Sequence, residues 1–225
     1  MIDASKINQL ANLIENTSEI SVVTHMKPDG DAMGSSLAMY HFLTSFTKCN
    51  VKIVLNDRYP ANLAFLVDET ALPDIIVYNE NPDAANQRIS DSDLIICLDF
   101  NAFHRTDKME KALETTKARK ILIDHHLNPD HEAFDLVFSY QDISSASELL
   151  YHILKISPQC QGKPEMLPFE AAESLMTGMT TDTNNFANST YPSTLQMASE
   201  LIGIGVDRDQ IILNIYNRYG ENRLR

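Results

Sequence analysis

Hydrophobic and polar positions along this chain follow two alternating periods. Ile7, Leu10, Leu13 and Ile14 recur at helical spacing, which predicts an amphipathic helix over Asp3–Asn16. A continuous apolar run predicts a buried strand at Ile20–Thr24, and a second helix follows from Met33 to Phe46. The alternation continues with an extended stretch at Val51–Leu55, a short helix at Ala61–Val67, extended chain at Asp74–Tyr78 and a helix at Asp83–Ile89. Leu94–Leu98 and Ile121–Ile123 are further short strands, separated by a Lys-rich helix over Thr106–Thr116, and Asp135–Phe138 adds a last extended piece. Strands apolar throughout, each followed by a helix, predict a parallel sheet covered on both faces.

Beyond Ser144 the pattern is helical. Ser145 stands as an N-cap with Glu148 three residues on, the signature of a capping box, and opens a helix to Ile156. Residues Ser157–Pro168 hold three prolines and a glycine and read as an exposed connection. Helices are predicted at Phe169–Thr180, Pro192–Ile202 and Asp207–Tyr216. The fold class is therefore α/β, a doubly wound, mostly parallel sheet with helices on both faces and a helical C-terminal cover. The expected division is an α/β domain over residues 1–190 and helices over 191–225 that lead to a linker.

Composition narrows the function classes. The 225 residues carry a formal net charge of −13, which argues against wrapping long duplex nucleic acid, since that needs a basic face. It leaves open a small phosphorylated substrate in a pocket that holds cations. The longest apolar runs are strand-sized, so no membrane span is expected, and Met1–Asn8 lacks the pattern of a signal peptide. Cys49, Cys97 and Cys160 show no CxxC spacing and fit a reduced, cytoplasmic protein.

Asp and His gather at the ends of the predicted elements. Thr24-His25-Met-Lys-Pro-Asp29-Gly-Asp31 leaves the first strand and enters a helix; Asp99 follows Leu-Ile-Ile-Cys-Leu; Asp124-His125-His126 follows Ile-Leu-Ile; Asp182 ends an apolar helix. Three of these four clusters follow a strand on its C-terminal side, the edge at which open α/β sheets bind ligands. Two carboxylates about 4 Å apart repel by roughly 4 kcal/mol at an effective dielectric near 20, so Asp29, Asp31, Asp99, Asp124 and Asp182 on one rim call for cations. Carboxylate and imidazole donors without thiolate suit Mn²⁺, Fe²⁺ or Co²⁺, with Mg²⁺ also open. Two such ions about 3.5–4 Å apart can clamp a phosphoryl group for in-line attack by water.

Simpler readings stand beside these. Asp29 and Asp31 also fit turn and N-cap positions, Asp99 fits a cap, and His125 and His126 fit surface histidines. Arg105 fits either a bidentate phosphate contact or a solvated helix start. Gly34-Ser35-Ser36 could present amides to an anion, although packing of the helix against the sheet explains Gly34 equally well. His41, His104, His131 and His152 read as structural or exposed.

His25-Met-Lys-Pro-Asp-Gly-Asp-Ala-Met-Gly-Ser together with Asp124-His-His resembles the DHH phosphoesterase family, which includes RecJ-type exonucleases. The run ending in Asp99 and the stretch Gly178-Met-Thr-Thr-Asp182-Thr-Asn-Asn-Phe186 are similar to its second and fourth motifs, and Ser144-Ser-Ala-Ser-Glu-Leu-Leu-Tyr151 to a segment of its NrnA branch of oligoribonucleases that also dephosphorylate pAp. The resemblance implies two divalent ions, manganese first. His25, Asp29 and Asp99 would hold one; Asp31, Asp99, His125 and Asp182 the other, with Asp99 bridging and catalytic. It casts His126 as touching the scissile phosphate, Arg105 as binding phosphate, Asp124 as orienting an imidazole ligand, and Asn101 as a weaker match. It further implies short RNA or nucleotides as substrate and a second, DHH-associated domain, expected to be absent from this chain; the sequence leaves the oligomeric state open, a homodimer included. Cyclic or linear dinucleotide phosphodiesterase activity and a non-catalytic nucleotide-binding regulator are the alternatives.

Overall fold

The computed structural model describes residues 2–217. Six strands, β1 (Glu19–Thr24), β2 (Asn50–Leu55), β3 (Ile75–Val77), β4 (Leu94–Leu98), β5 (Arg119–Asp124) and β6 (Leu136–Ser139), form one all-parallel sheet in the order β3-β2-β1-β4-β5-β6. Helices α1 (Ala4–Glu15), α2 (Gly30–Phe46), α3 (Pro82–Asp91), α4 (Glu110–Thr115), α5 (Ala146–Lys155), α6 (Phe169–Asp182), α7 (Pro192–Gly203) and α8 (Arg208–Ile212) surround it. Every residue of β4 is buried, as expected of a central strand covered on both faces. Two apolar clusters flank the sheet, a larger one joining α1, α2, α5, α6 and α7 and a smaller one beneath α3 and α4. The fold class matches the expected α/β, doubly wound, mostly parallel sheet with a helical C-terminal cover.

Strand order reverses between β1 and β4: the chain leaves β1 toward β2 on one side and leaves β4 toward β5 on the other. Such a reversal opens a crevice at the strands' C-terminal ends. Register brings the ends level there, Thr24 opposite Leu98 and Leu98 opposite Ile123, so that His25, Asp99 and Asp124 follow side by side.

Several boundaries differ from the sequence pattern. The helix expected over Thr106–Thr116 divides into a 3-10 stretch, Phe103–Met109, and the short α4, because Asp107 adopts a left-handed φ of 51° that breaks the ladder. The segment Ala61–Leu66 is also 3-10. The last expected helix becomes α8 followed by a π-turn at Leu213–Asn217. Glu148 reaches back to the Ser144 N–H at 3.1 Å rather than to that of Ser145, so the capping box is displaced by one residue. No helix among the described residues is long and apolar enough to cross a membrane. The end of the expected 191–225 segment, residues 218–225, lies outside the described residues.

Candidate metal centre

Asp99 occupies the middle of the rim. It is 2% exposed, and its backbone is left-handed at φ 63°, a conformation a non-glycine residue holds only when its surroundings impose it. Its two carboxylate oxygens face opposite ways. Oδ2 lies 3.5 Å from His25 Nε2, and Oδ1 lies 3.4 Å from His125 Nε2. Asp29 Oδ1 is 3.8 Å from the same His25 nitrogen; Asp31 Oδ2 and Asp182 Oδ2 are 3.8 and 3.6 Å from the same His125 nitrogen. Three overlapping donor groups result: His25–Asp29–Asp99 and Asp31–His125–Asp182, with Asp99 between them, and Asp99–His125–His126. Burial and hydrogen bonding prepare the donors. His25 Nδ1 is 2.7 Å from the Met26 carbonyl, to which it donates, so Nε2 is the nitrogen that faces the carboxylates.

Helix termini hold the flanking carboxylates. Asp29 caps α2, its Oδ1 accepting the Asp31 and Ala32 N–H groups at 3.0 and 3.1 Å, while its side chain stays 62% exposed. Both the cap reading and proximity to His25 therefore describe Asp29. Asp31 is buried and receives the first-turn amides of α5, Ala146 N–H at 2.6 Å and Ser147 N–H at 2.8 Å. A helix N-terminus thus stabilises this carboxylate's charge. Nothing in the local sequence showed that contact, which spans 115 positions; the Ser-rich start of α5 was its one visible trace.

Two glycines bring Asp31 and Asp182 together. A Cβ on Gly34 would stand 2.5 Å from the Ser174 carbonyl oxygen and 2.8 Å from the Gly178 nitrogen, and one on Gly178 would overlap Ser147. Gly34 therefore serves the close crossing of α2 on α6; the sheet is not its partner, and the anion reading finds no support in its contacts.

On the chain's own charges the cluster is short of cations. Burial alone would lower the His25 and His125 pKa values. The neighbouring carboxylates outweigh it: Asp29 and Asp99 raise His25 to about 10, and Asp99, Asp31 and Asp182 raise His125 to about 9. Burial pushes Asp31 well above the carboxylate range, with repulsion from Asp99 and Asp182 adding to it. Asp182 is lifted to about 6, again by burial first and then by Asp99 and Asp29, against an opposing effect from His125. For Asp99 burial would raise the pKa, but the adjacent His125 and His25 imidazoles override it, and the pKa falls to about 2. Protons shared among these groups supply the positive charge that divalent ions supply in such sites. Asp99 Oδ1 is buried without a hydrogen-bond partner among the described residues. An orphaned carboxylate oxygen ringed by oxygen and imidazole donors, with no thiolate, fits hard or borderline divalent ions.

His126 differs from its neighbour. Its Nδ1 is 2.7 Å from Asp124 Oδ1 and 3.8 Å from Asp99 Oδ1, and its backbone N–H donates to Asp124 Oδ2 at 3.1 Å. Asp124 thus orients His126, the third imidazole at the rim. With Nδ1 engaged, Nε2 is the nitrogen left for a substrate oxygen. Arg105 is exposed within the 3-10 stretch, and its carbonyl accepts the Met26 N–H at 2.8 Å, tying it to the His25 loop. Asn101 Nδ2 donates to the Leu127 carbonyl at 2.8 Å, bracing the loop after His126. His41 is buried beside Tyr40, and His104 and His131 are exposed.

Comparisons with known proteins identify the family and the fold. The family model described as "DHH family, N-terminal domain" matches residues 19–179. The chain is 26% identical over 204 residues to the cyclic-di-AMP phosphodiesterase PdeA of Listeria monocytogenes, covering 88% of this chain and 30% of that protein. It is 30% identical over 190 residues to the bifunctional oligoribonuclease and PAP phosphatase NrnA of Thermus thermophilus, covering 83% and 50%. It thus spans between 30% and 50% of the length of these curated relatives. A crystal structure of an exopolyphosphatase-related protein from Bacteroides fragilis superposes with a TM-score of 0.91 at 36% identity, over 100% of this chain and 64% of that one. RecJ of Thermus thermophilus in complex with Mn²⁺ shares the fold, with a TM-score of 0.51 at 14% identity over 96% of this chain and 32% of that one. With that family's model spanning all six strands and most of α6, the chain belongs to the DHH family.

Proposed function

We propose that this chain is the catalytic part of a phosphoesterase that hydrolyses short oligoribonucleotides to mononucleotides and removes the 3′-phosphate of pAp, using two divalent ions, manganese first. The observation that carries this reading is Asp99, which turns one buried oxygen toward each of two donor groups. His25, Asp29 and Asp99 would hold one ion; Asp31, Asp99, His125 and Asp182 the other. When bound, the pair supplies Lewis acidity at the phosphoryl oxygens and lowers the pKa of an attacking water.

The chain's own residues do the rest. Asp124 keeps the His126 proton on Nδ1, so Nε2 can accept a hydrogen bond or, once protonated, donate to a phosphate oxygen or the leaving alkoxide. Arg105, exposed on the same rim, can form two parallel hydrogen bonds to a second phosphate. The likeness to NrnA supports the substrate class. Free Cys49, Cys97 and Cys160 support a cytoplasmic setting.

The likeness to PdeA favours a second reading, hydrolysis of a cyclic dinucleotide or its linear product. Product release from a ribodinucleotide, pAp and a cyclic dinucleotide, measured with the full-length protein and manganese, ranks the two. The dinucleotide and pAp should be hydrolysed faster. His126→Ala should reduce turnover by about 10²–10⁴-fold without unfolding the protein. Exclusive hydrolysis of the cyclic dinucleotide would establish the second reading, and undiminished turnover by His126→Ala would remove that residue from the site.

A further inference from the structure

Glu148, in the first turn of α5, is fully buried yet hydrogen-bonds to none of the proposed ligands. A buried carboxylate is costly unless several donors surround it. Its Oε2 has them: the Ser144 N–H at 3.1 Å, the Ser144 hydroxyl, and the Thr194 hydroxyl at 2.6 Å. Oε1 lies 3.7 Å from His152 Nε2, and neither atom has a hydrogen-bond partner among the described residues.

These contacts join two places that matter at the rim. Ser144 and Ser145 set the entry into α5, and the Ser145 hydroxyl takes the Glu148 N–H at 2.9 Å. That leaves the Ala146 and Ser147 amides for Asp31. Thr194 also accepts the Tyr191 N–H at 3.0 Å, at the head of α7, where the loop that begins after Asp182 ends. Glu148 therefore fastens the donors of Asp31 to the far end of the Asp182 loop.

We infer that Glu148 is a positioning residue for the Asp31–His125–Asp182 group, holding the first turn of α5 in the orientation that fixes the Asp31 carboxylate. The inference rests on the two-ion reading above. Glu148→Gln keeps the volume but replaces a charged acceptor of three hydrogen bonds with a neutral amide oxygen, which binds its donors more weakly. Thr194→Val cuts only the link to α7.

Calorimetric manganese titration of the full-length protein, with thermal unfolding in chelator, tests it. Asp31→Asn identifies which of the two binding steps belongs to the Asp31 group. Glu148→Gln should weaken that step by about 10- to 100-fold, the usual effect of losing a residue that orients a ligand, and leave the other step unchanged. Thr194→Val should weaken the same step by less, and it carries the test if Glu148→Gln fails to fold. Unchanged binding in the folded variants overturns the inference, as does equal weakening of both steps with a lowered Tm, which would mark a structural role. If the wild-type protein takes up fewer than two ions, the two-ion reading fails and this inference with it. A wild type with two steps and an insensitive Glu148→Gln removes the inference alone.

Discussion

Replacing Gly34 with alanine sets two effects against each other, and their sizes decide the sign. In a helix interior alanine is favoured over glycine by about 1 kcal/mol, so propensity alone makes the variant more stable. The structure opposes this. The new methyl would stand 2.5 Å from the Ser174 carbonyl oxygen and 2.8 Å from the Gly178 nitrogen, and both contacts are backbone, with no side chain free to rotate away. Overpacking of this kind costs about 1–3 kcal/mol, and rigid neighbours place it in the upper part of that range. The net is a loss of about 1–2 kcal/mol, or roughly 2–8 °C in Tm for a chain of this size.

The geometric consequence is larger. Opening the 2.5 Å contact to ordinary van der Waals distance, 3.4 Å, means parting α2 and α6 locally by about 0.9 Å. Asp31 rides on one helix and Asp182 ends the other, both against His125 Nε2. Metal sites tolerate about 0.2 Å. Urea or thermal unfolding in chelator, paired with manganese titration, should show modest destabilisation and loss of the Asp31 step. A Gly34→Ala protein that is more stable than wild type and binds two ions with unchanged affinity would refute the close-crossing reasoning.

Other expectations follow from single contacts. Asp124→Asn can donate to His126 Nδ1 and so place the ring proton on Nε2; manganese affinity should hold while turnover falls by about 10- to 100-fold, as separate titration and rate measurements would show. Arg88, on the opposite edge of the sheet, donates to Ser21 Oγ and to the Ile20 and Asn50 carbonyls; Arg88→Met should cost about 2–3 kcal/mol in urea unfolding and leave metal affinity unchanged. The raised pKa values of His25, about 10, and His125, about 9, give the ion-free fold stability that is complete below the unfolded imidazole value near 6.5 and is lost as pH rises through 9 to 10. Manganese must displace those protons, so its affinity should climb with pH over the same interval; affinity that is flat or falling between pH 7 and 9 would contradict the assignment.

Much of this architecture is legible in the sequence because its signals are local. Runs such as Leu94–Leu98 name buried strands without reference to any other part of the chain, and rules for parallel sheets then place His25, Asp99 and His125 on one edge. What escaped was pairwise and distant. The amides that hold Asp31, the α6 backbone behind Gly34, and the reach of Glu148 to Thr194 join residues far apart in the chain and leave no periodic trace. The division of the Thr106–Thr116 helix rests on one residue, Asp107, whose left-handed backbone no propensity indicated. Asp124 follows the same logic: its position was readable, but which of two adjacent imidazoles it held depended on ring orientation.

Anomalous scattering from a manganese-soaked crystal tests the two-ion centre most directly. Two peaks about 3.5–4 Å apart, one on each side of Asp99, are the predicted result. A single peak, or none touching Asp99, would contradict it.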